Sequence, residues 1–118
     1  MKNFKLLLTI IIAGLFAFTI NGCKKCKNED PTARIINNGT QKADVQVKTS
    51  GGNTVNINNV EPGTSSPYSS YSQGQVTFTI NVANSNYVKT VDVAKCYVYD
   101  IAVDAANNIT VSATDRNK

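Results

Sequence analysis

The sequence predicts an all-β fold, a small antiparallel β-sandwich of about seven strands. From residue 33 onward, apolar and polar residues alternate with a period of two, which is the pattern of half-buried strands. Segments rich in Asn, Gly, Pro and Ser interrupt this alternation at short intervals. No stretch in this region keeps a helical period for more than a turn or two. A small barrel built from the same strands is the alternative arrangement.

The first strands are short and end at turn-forming residues. Ala33 to Asn37 is predicted as a strand, and Asn-Asn-Gly at 37–39 suits a tight turn because Asn and Gly tolerate positive φ. Residues 43–49 and 54–60 are predicted as the strands of a hairpin with a turn at 50–53. The apolar residues of this hairpin are predicted to point inward: Ala43, Val45, Val47, Val55 and Ile57.

A turn and the strongest strand follow the hairpin. Glu-Pro-Gly at 61–63 breaks the chain, since Pro presets φ and Gly accepts a left-handed conformation. The Ser- and Tyr-rich segment after it is predicted to pair as a short edge strand around 68–71. Residues 75–83 form the clearest strand pattern, with four large apolar residues on one face: Val76, Phe78, Ile80 and Val82.

Three further strands complete the predicted domain. They cover 87–94, 97–103 and 108–114, separated by short polar connections. Strands with such short links are typical of a β-sandwich that is immunoglobulin-like in the broad sense. Residues 115–118 are predicted as a polar tail.

The segment before this domain has the features of an export signal. Lys2 and Lys5 precede an uncharged apolar run of 15 residues from Leu6 to Ile20. This run fits a signal peptide and is shorter than the roughly 20 residues needed to cross a bilayer. Counting from Phe4 to Gly22 lengthens the run, so an uncleaved membrane anchor stays open as the alternative.

The signal ends in Ile20-Asn21-Gly22-Cys23, which resembles the lipobox of bacterial lipoproteins. The resemblance implies removal of residues 1–22, attachment of diacylglycerol to the Cys23 sulfur and a membrane anchor through that lipid. Asn21 departs from the usual Ser, Thr or Ala. If Cys23 stays unmodified, the alternative is a secreted soluble β domain.

The residues after Cys23 are predicted to form a flexible tether over 23–32. They are polar and charged, and Lys24, Lys25 and Lys27 can attract anionic headgroups. Lys at position 24, where many lipoproteins retained at the inner membrane have Asp, favours the outer membrane by resemblance. Whether the domain faces the periplasm or the outside stays open.

Cys26 and Cys96 form the candidate disulfide. An exported protein reaches an oxidising compartment, where two such cysteines can bond. The alternative has Cys26 exposed in the tether and Cys96 half-buried on a strand. Cys23-x-x-Cys26 lies in a polar tether without a second ligand pair, so we do not interpret it as a redox or metal motif.

The composition argues against several functional classes. The chain contains no His, so the commonest general base and metal ligand is missing. Residues 23–118 contain ten Lys or Arg and eight Asp or Glu, a formal charge of +2, and no basic stripe predicts nucleic-acid binding. We predict neither a cofactor nor a metal.

Two sets of residues are candidates for functional sites. Asp92, Asp100 and Asp104 offer oxygen ligands, and a pocket joining them would favour a metal-dependent hydrolase, but no Asp-x-Asp-x-Asp-Gly loop is present. The five tyrosines could form an aromatic surface, or could be core and edge residues. They are Tyr68, Tyr71, Tyr87, Tyr97 and Tyr99.

The strand and turn patterns over roughly 33–114 resemble the DUF4397-type domain, a family of extracytoplasmic β-sandwich modules found in Bacteroidota-like lipoproteins. The resemblance rests on Ala43-Asp44-Val45-Gln46-Val47, on Ser66-Pro67-Tyr68 before Gly74, on Val76-Thr77-Phe78-Thr79-Ile80 and on Tyr97-Val98-Tyr99. It supplies no catalytic residues. The family has no known function. We therefore predict a non-catalytic binding or structural module, and its partner, whether a glycan, a peptide or another envelope protein, stays open.

Overall fold

The computed structural model describes residues 26–117 as a two-layer β-sandwich, which confirms the predicted fold class. It contains eight strands rather than about seven. They are β1 (Thr32–Asn38), β2 (Ala43–Lys48), β3 (Thr54–Val60), β4 (Ser69–Ser70), β5 (Gly74–Val82), β6 (Ser85–Val93), β7 (Tyr97–Asp104) and β8 (Ile109–Asp115). The predicted signal peptide and Cys23 lie outside the described residues.

Two four-stranded sheets form the layers. Sheet A has the order β4-β1-β7-β8, and sheet B has the order β3-β2-β5-β6. No helix within residues 26–117 has the length and apolar character that crossing a membrane requires.

The core lies between the sheets and is built by the predicted alternation. Phe78 and Ile80 of sheet B and Ile35 and Ile101 of sheet A are all fully buried. Burying one such side chain stabilises the fold by about 1.5–3 kcal/mol. The Tyr71 ring closes one end of this core by meeting Phe78 edge to face, with 6.4 Å between the ring centroids.

The β2–β3 hairpin is where the sequence predicted it, but its register is irregular. The pairing shifts between Ala43 and Val45, so β3 carries a bulge. Asn59 has a φ of 61° there, and its backbone N–H donates to Asp44 Oδ1 at 2.7 Å. The carboxylate of Asp44 therefore satisfies a backbone donor that the bulge removes from regular pairing.

One pair of neighbouring strands runs parallel. β1 pairs with β7 in parallel register, with Ile35 opposite Ile101, although the sequence predicted an antiparallel sandwich. Sheet B and most of the chain lie between these two strands in sequence. The period of two predicts a strand and its buried face, but it does not encode the direction of a distant partner.

Asn37 begins a crossing between sheets rather than the predicted tight turn. β1 belongs to sheet A and β2 to sheet B, and Asn37 is only 1% exposed. Its Nδ2 donates to the carbonyl oxygens of Gln41 and Val60, each at 2.8 Å, and its Oδ1 accepts from the Gly39 N–H at 2.9 Å. This amide side chain thus satisfies three backbone groups where the chain changes layers.

The sandwich has two ends, named here by their connections. The terminal pole holds the start of β1, the end of β8 and the connections 49–53 and 94–96. The distal pole holds the connections 39–42, 61–64, 83–84 and 105–108. β7 runs from one pole to the other and spans about 25 Å at the usual rise per strand residue.

Candidate functional site

A disulfide joins Cys26 to Cys96 at the terminal pole, with an S–S distance of 2.14 Å. One of the two interpretations of the sequence had Cys96 half-buried on a strand. The structure places it in the β6–β7 connection, 6% exposed and with a φ of 65°. We refer to this bond and the contacts around it as the N-terminal junction.

Backbone hydrogen bonds extend the N-terminal junction on both sides of the disulfide. The Cys96 N–H donates to the Glu29 carbonyl at 2.9 Å, and the Arg116 N–H donates to the Cys96 carbonyl at 2.9 Å. The Tyr71 N–H donates to the Pro31 carbonyl, also at 2.9 Å. Residues 26–31, predicted as part of a flexible tether, are therefore attached to the domain.

Two ion pairs add to the junction on its surface. The Arg116 guanidinium contacts the Glu29 carboxylate, and Lys95 Nζ lies 3.3 Å from Asp30 Oδ1. Their side chains are about two-fifths to one-half exposed, so each pair stabilises the fold by at most about 1 kcal/mol. Arg116 lies in the predicted polar tail, yet it contacts Glu29 and Cys96 and so joins the two ends of the described residues at the same pole.

The junction limits the distance between Cys23 and the folded domain. Cys26 follows Cys23 by three residues, and a fully extended chain spans at most about 3.6 Å per residue, so the two Cα atoms can be at most about 11 Å apart. A tether that reached Thr32 freely would be about three times longer.

A second polar cluster lies on the outer face of sheet A. Arg34 Nε donates to Asp100 Oδ1 at 2.8 Å, and the Tyr68 hydroxyl donates to the same oxygen at 3.0 Å. The Arg34 guanidinium also lies over the Tyr68 ring, 4.7 Å from its centroid. Desolvation first, and then this hydrogen bond, raises the pKa of Tyr68. Two donors within the chain already occupy the Asp100 oxygen.

The three candidate carboxylates do not come together in a metal or hydrolase site. Asp100 and Asp104 lie on β7 in sheet A, whereas Asp92 lies on β6 in sheet B. Asp104 Oδ1 accepts the backbone N–H groups of Ala106 and Asn108, each at 2.9 Å, and so caps the β7–β8 turn. Within residues 26–117, no three His, Cys, Asp or Glu side chains are grouped to hold a metal ion.

The tyrosines do not share one exposed surface. Tyr71 and Tyr99 are buried at 5% exposure, and Tyr97 stacks against Tyr99 with 6.1 Å between ring centroids. Tyr87 packs against the core, and its hydroxyl accepts a hydrogen bond from Asn107. Only Tyr68 is exposed, at 46%. The interpretation as core and edge residues fits these positions better than an aromatic binding surface does.

A small cleft opens between the sheets at the distal pole, with a volume of about 80 Å³. Its lining includes Asn37, Val82, Val103 and Asn107. Asn37 is saturated by backbone groups, and Asn107 Nδ2 donates to the Tyr87 hydroxyl at 3.1 Å. A volume of this size admits water and falls well short of the roughly 300–1,000 Å³ of a small-molecule pocket.

The outer face of sheet B is rich in amides and hydroxyls. A shallow depression of about 190 Å³ runs across it. The sequence predicted outward-facing side chains on β2 and β5 but not that four strands would join them into one surface. The lining side chains come from all four strands: Asp44, Gln46, Asn56, Asn58, Thr79, Asn81 and Asn86.

Tyr71 is the one buried side chain in the described part of the chain whose polar atom has no hydrogen-bond partner. Burial raises the pKa of its phenol, and the neighbouring Ser69 has a smaller effect in the opposite direction. The folded state therefore keeps the phenol proton at pH values where the unfolded chain, with an ordinary pKa of 10.0, releases it.

We expect the stability conferred by neutral Tyr71 to be complete below pH 10 and to be lost as the pH rises from there through the raised pKa. Tyr71→Phe has no proton to lose and leaves no unpartnered hydroxyl, so it should unfold less readily at alkaline pH and equal or exceed the original protein at pH 7. Urea unfolding followed by circular dichroism between pH 7 and 11 measures this. Parallel pH profiles of the two proteins would contradict the assignment.

Comparison with known proteins finds no family model that matches the chain, and no curated protein matches it. The fold and the site thus define the class of protein: a small β-sandwich in which a disulfide bonds the segment before the first strand to one pole.

Proposed function

We propose that this protein is a lipid-anchored lipoprotein of a bacterial envelope, and that its β-sandwich is a non-catalytic binding or structural module. One observation carries the proposal, the order of a basic start, an uncharged apolar run and Gly22-Cys23 immediately ahead of the domain. Acylation at Cys23 would anchor the protein strongly, because each buried CH₂ contributes about 0.8 kcal/mol. Two or three acyl chains give stable membrane binding, whereas a single acyl chain binds only reversibly.

The use of the three cysteines supports the proposal. Cys26 and Cys96 are bonded to each other, so that bond does not consume Cys23. A structural disulfide fits a protein that leaves the reducing cytosol. The proposed signal would direct the chain out of the cytosol as well. The placement at the outer membrane and the resemblance to DUF4397-type modules belong to this proposal and rest on the sequence.

The non-catalytic part of the proposal rests on how the polar side chains are used. Asp100 bonds Arg34 and Tyr68, while Asp104 caps a turn. Asp100 and Asp104 therefore already have structural partners. The two carboxylates and that of Asp92 do not share a pocket. A glycan, a peptide or an envelope protein is the class of partner that the exposed amide-rich face of sheet B suits.

The test is the mass and the location of the full chain expressed with its own leader in a bacterial host. We expect membrane extracts to contain a protein that begins at Cys23 and carries acyl mass. Cys23→Ser should leave the membrane fraction or stay unprocessed, whereas Asn21→Ala, which restores a usual lipobox residue, should still be processed and anchored. A soluble, unacylated protein in the medium would favour the secreted alternative, and normal maturation and membrane association of Cys23→Ser would refute the proposal.

A further inference from the structure

We infer that the terminal pole is a docking surface for an anionic lipid bilayer, so that the strands stand upright on the membrane and the distal pole points away from it. This inference rests on the proposed lipid anchor at Cys23. It adds an orientation and a contacting surface, which an anchor alone does not determine.

The first argument is the length of chain between the anchor and the fold. The disulfide fixes Cys26 to the β6–β7 connection, and Cys26 is at most about 11 Å from Cys23. Both ends of the described chain meet at this pole, since the Cys26 N–H donates to Asn117 Oδ1 at 3.0 Å. A lipid on Cys23 would therefore hold this pole, and not the distal pole about 25 Å away along β7, next to the headgroups.

The second argument is the distribution of charge. Four described cations lie at the terminal pole, Lys27, Lys48, Lys95 and Arg116, and Lys24 and Lys25 directly precede Cys26 in the sequence. Four carboxylates share this end: Glu29, Asp30, Asp92 and Asp115. The distal pole has one cation and three carboxylates: Lys42, Asp44, Glu61 and Asp104. The described groups thus give a formal charge of 0 at the terminal pole and −2 at the distal pole, and Lys24 and Lys25, which directly precede Cys26 in the sequence, add +2 next to the terminal pole.

The pairing of these groups leaves usable cations at the terminal pole. Glu29 and Asp30 are matched by Arg116 and Lys95 within the N-terminal junction. Lys27 and Lys48 are exposed, and neither has a carboxylate of residues 26–117 within ion-pair distance. These two side chains are the described cations best placed to meet acidic headgroups.

The orientation has a consequence for the rest of the surface. With the terminal pole on the membrane, the distal cleft faces away from the bilayer. The amide-rich outer face of sheet B then stands at the side of the domain, where a large partner can approach it. A domain on a longer, flexible tether would have no fixed orientation relative to the membrane.

The experiment measures amide hydrogen exchange of the full lipidated protein reconstituted in vesicles. One set of vesicles contains phosphatidylcholine alone, and the other contains phosphatidylcholine with phosphatidylglycerol. Flotation is measured first and reports anchoring independently of orientation. On the anionic vesicles we expect slower exchange at 49–53, 94–96 and 115–117 than in detergent, with no change at 61–64, 83–84 and 105–108.

Two double variants with the same change in net charge test the surface. Each lysine near an anionic surface shifts the ratio of docked to undocked molecules by about fivefold, so Lys27→Gln with Lys48→Gln should reduce this ratio by on the order of tenfold or more. Lys42→Gln with Lys89→Gln removes two exposed cations outside the terminal pole and should leave the exchange pattern unchanged. A Gly/Ser insertion of about ten residues between Lys25 and Cys26, which adds a span of about 17 Å, should weaken the protection of the terminal pole on anionic vesicles.

The outcomes separate the two proposals. A protein that fails to float with either vesicle refutes the lipid anchor. A protein that floats but is protected at the distal pole, equally at both poles or at neither refutes the docking surface and leaves the anchor standing. An equal response to both lysine pairs would also refute the docking surface.

Discussion

Replacing Cys26 and Cys96 together by Ala should lower the free energy of unfolding by about 4 kcal/mol, because the disulfide closes a loop with a sequence separation of 70 residues. In the chain-entropy model the bond acts mainly on the unfolded chain, whose freedom it restricts. Small domains have only about 5–15 kcal/mol of stability, so the loss is a large part of the total. Urea unfolding should show it as a lower midpoint, and thermal unfolding as a fall of about 15 °C or more.

The controls separate the disulfide from the side chains that form it. The original protein in reductant should unfold like the double variant, and reductant should leave the double variant unchanged. Cys23→Ala should match the original protein in unfolding experiments, since Cys23 takes no part in the Cys26–Cys96 bond. An original protein whose unfolding midpoint does not respond to reductant would contradict the structural role of the bond.

Asn37→Asp should cost about 3–5 kcal/mol, the usual loss when a charge is buried without a partner. The Asn37 side chain is 1% exposed, and its Nδ2 donates to the carbonyl oxygens of Gln41 and Val60. A carboxylate there would place a charged oxygen against two carbonyl oxygens and would remove both donors. Urea unfolding at pH 7 gives the measurement.

Asn38→Asp is the matched control for this substitution. Asn38 is the next residue and is exposed, so the same change in charge and shape should alter the stability by no more than about 0.5 kcal/mol. The loss in Asn37→Asp should shrink at low pH, where the carboxyl group is protonated and can again donate a hydrogen bond. Similar losses in the two variants would contradict a special role for the buried amide.

The strands were the part of the fold that could be predicted, because a buried face is written into the alternation of neighbouring residues. Val76, Phe78, Ile80 and Val82 were predicted on one face of a strand, and all four are buried in β5. The β2–β3 hairpin was predicted as well, since a short turn at 50–53 determines which strands pair.

The pairing of distant strands and the role of Asn37 could not be predicted. β1 and β7 are parallel neighbours separated by most of the domain, and nothing in the local pattern of either strand selects the other. Asn37 resembled a turn residue because an Asn-Asn-Gly sequence is common in turns. Only the packed structure reveals that its amide is buried between the layers.

By itself, the sequence determined the β-rich composition, the alternating faces of the strands and the uncharged apolar run that precedes Cys23, because each of these is a property of neighbouring residues. The tertiary structure alone decided which pole holds both ends of the described residues 26–117, how much of the tether is bonded to the domain and which carboxylates stay apart. These depend on contacts between residues far apart in the chain, such as Cys26 with Cys96 and Arg34 with Asp100, and such contacts form only when the two sheets close on their shared core.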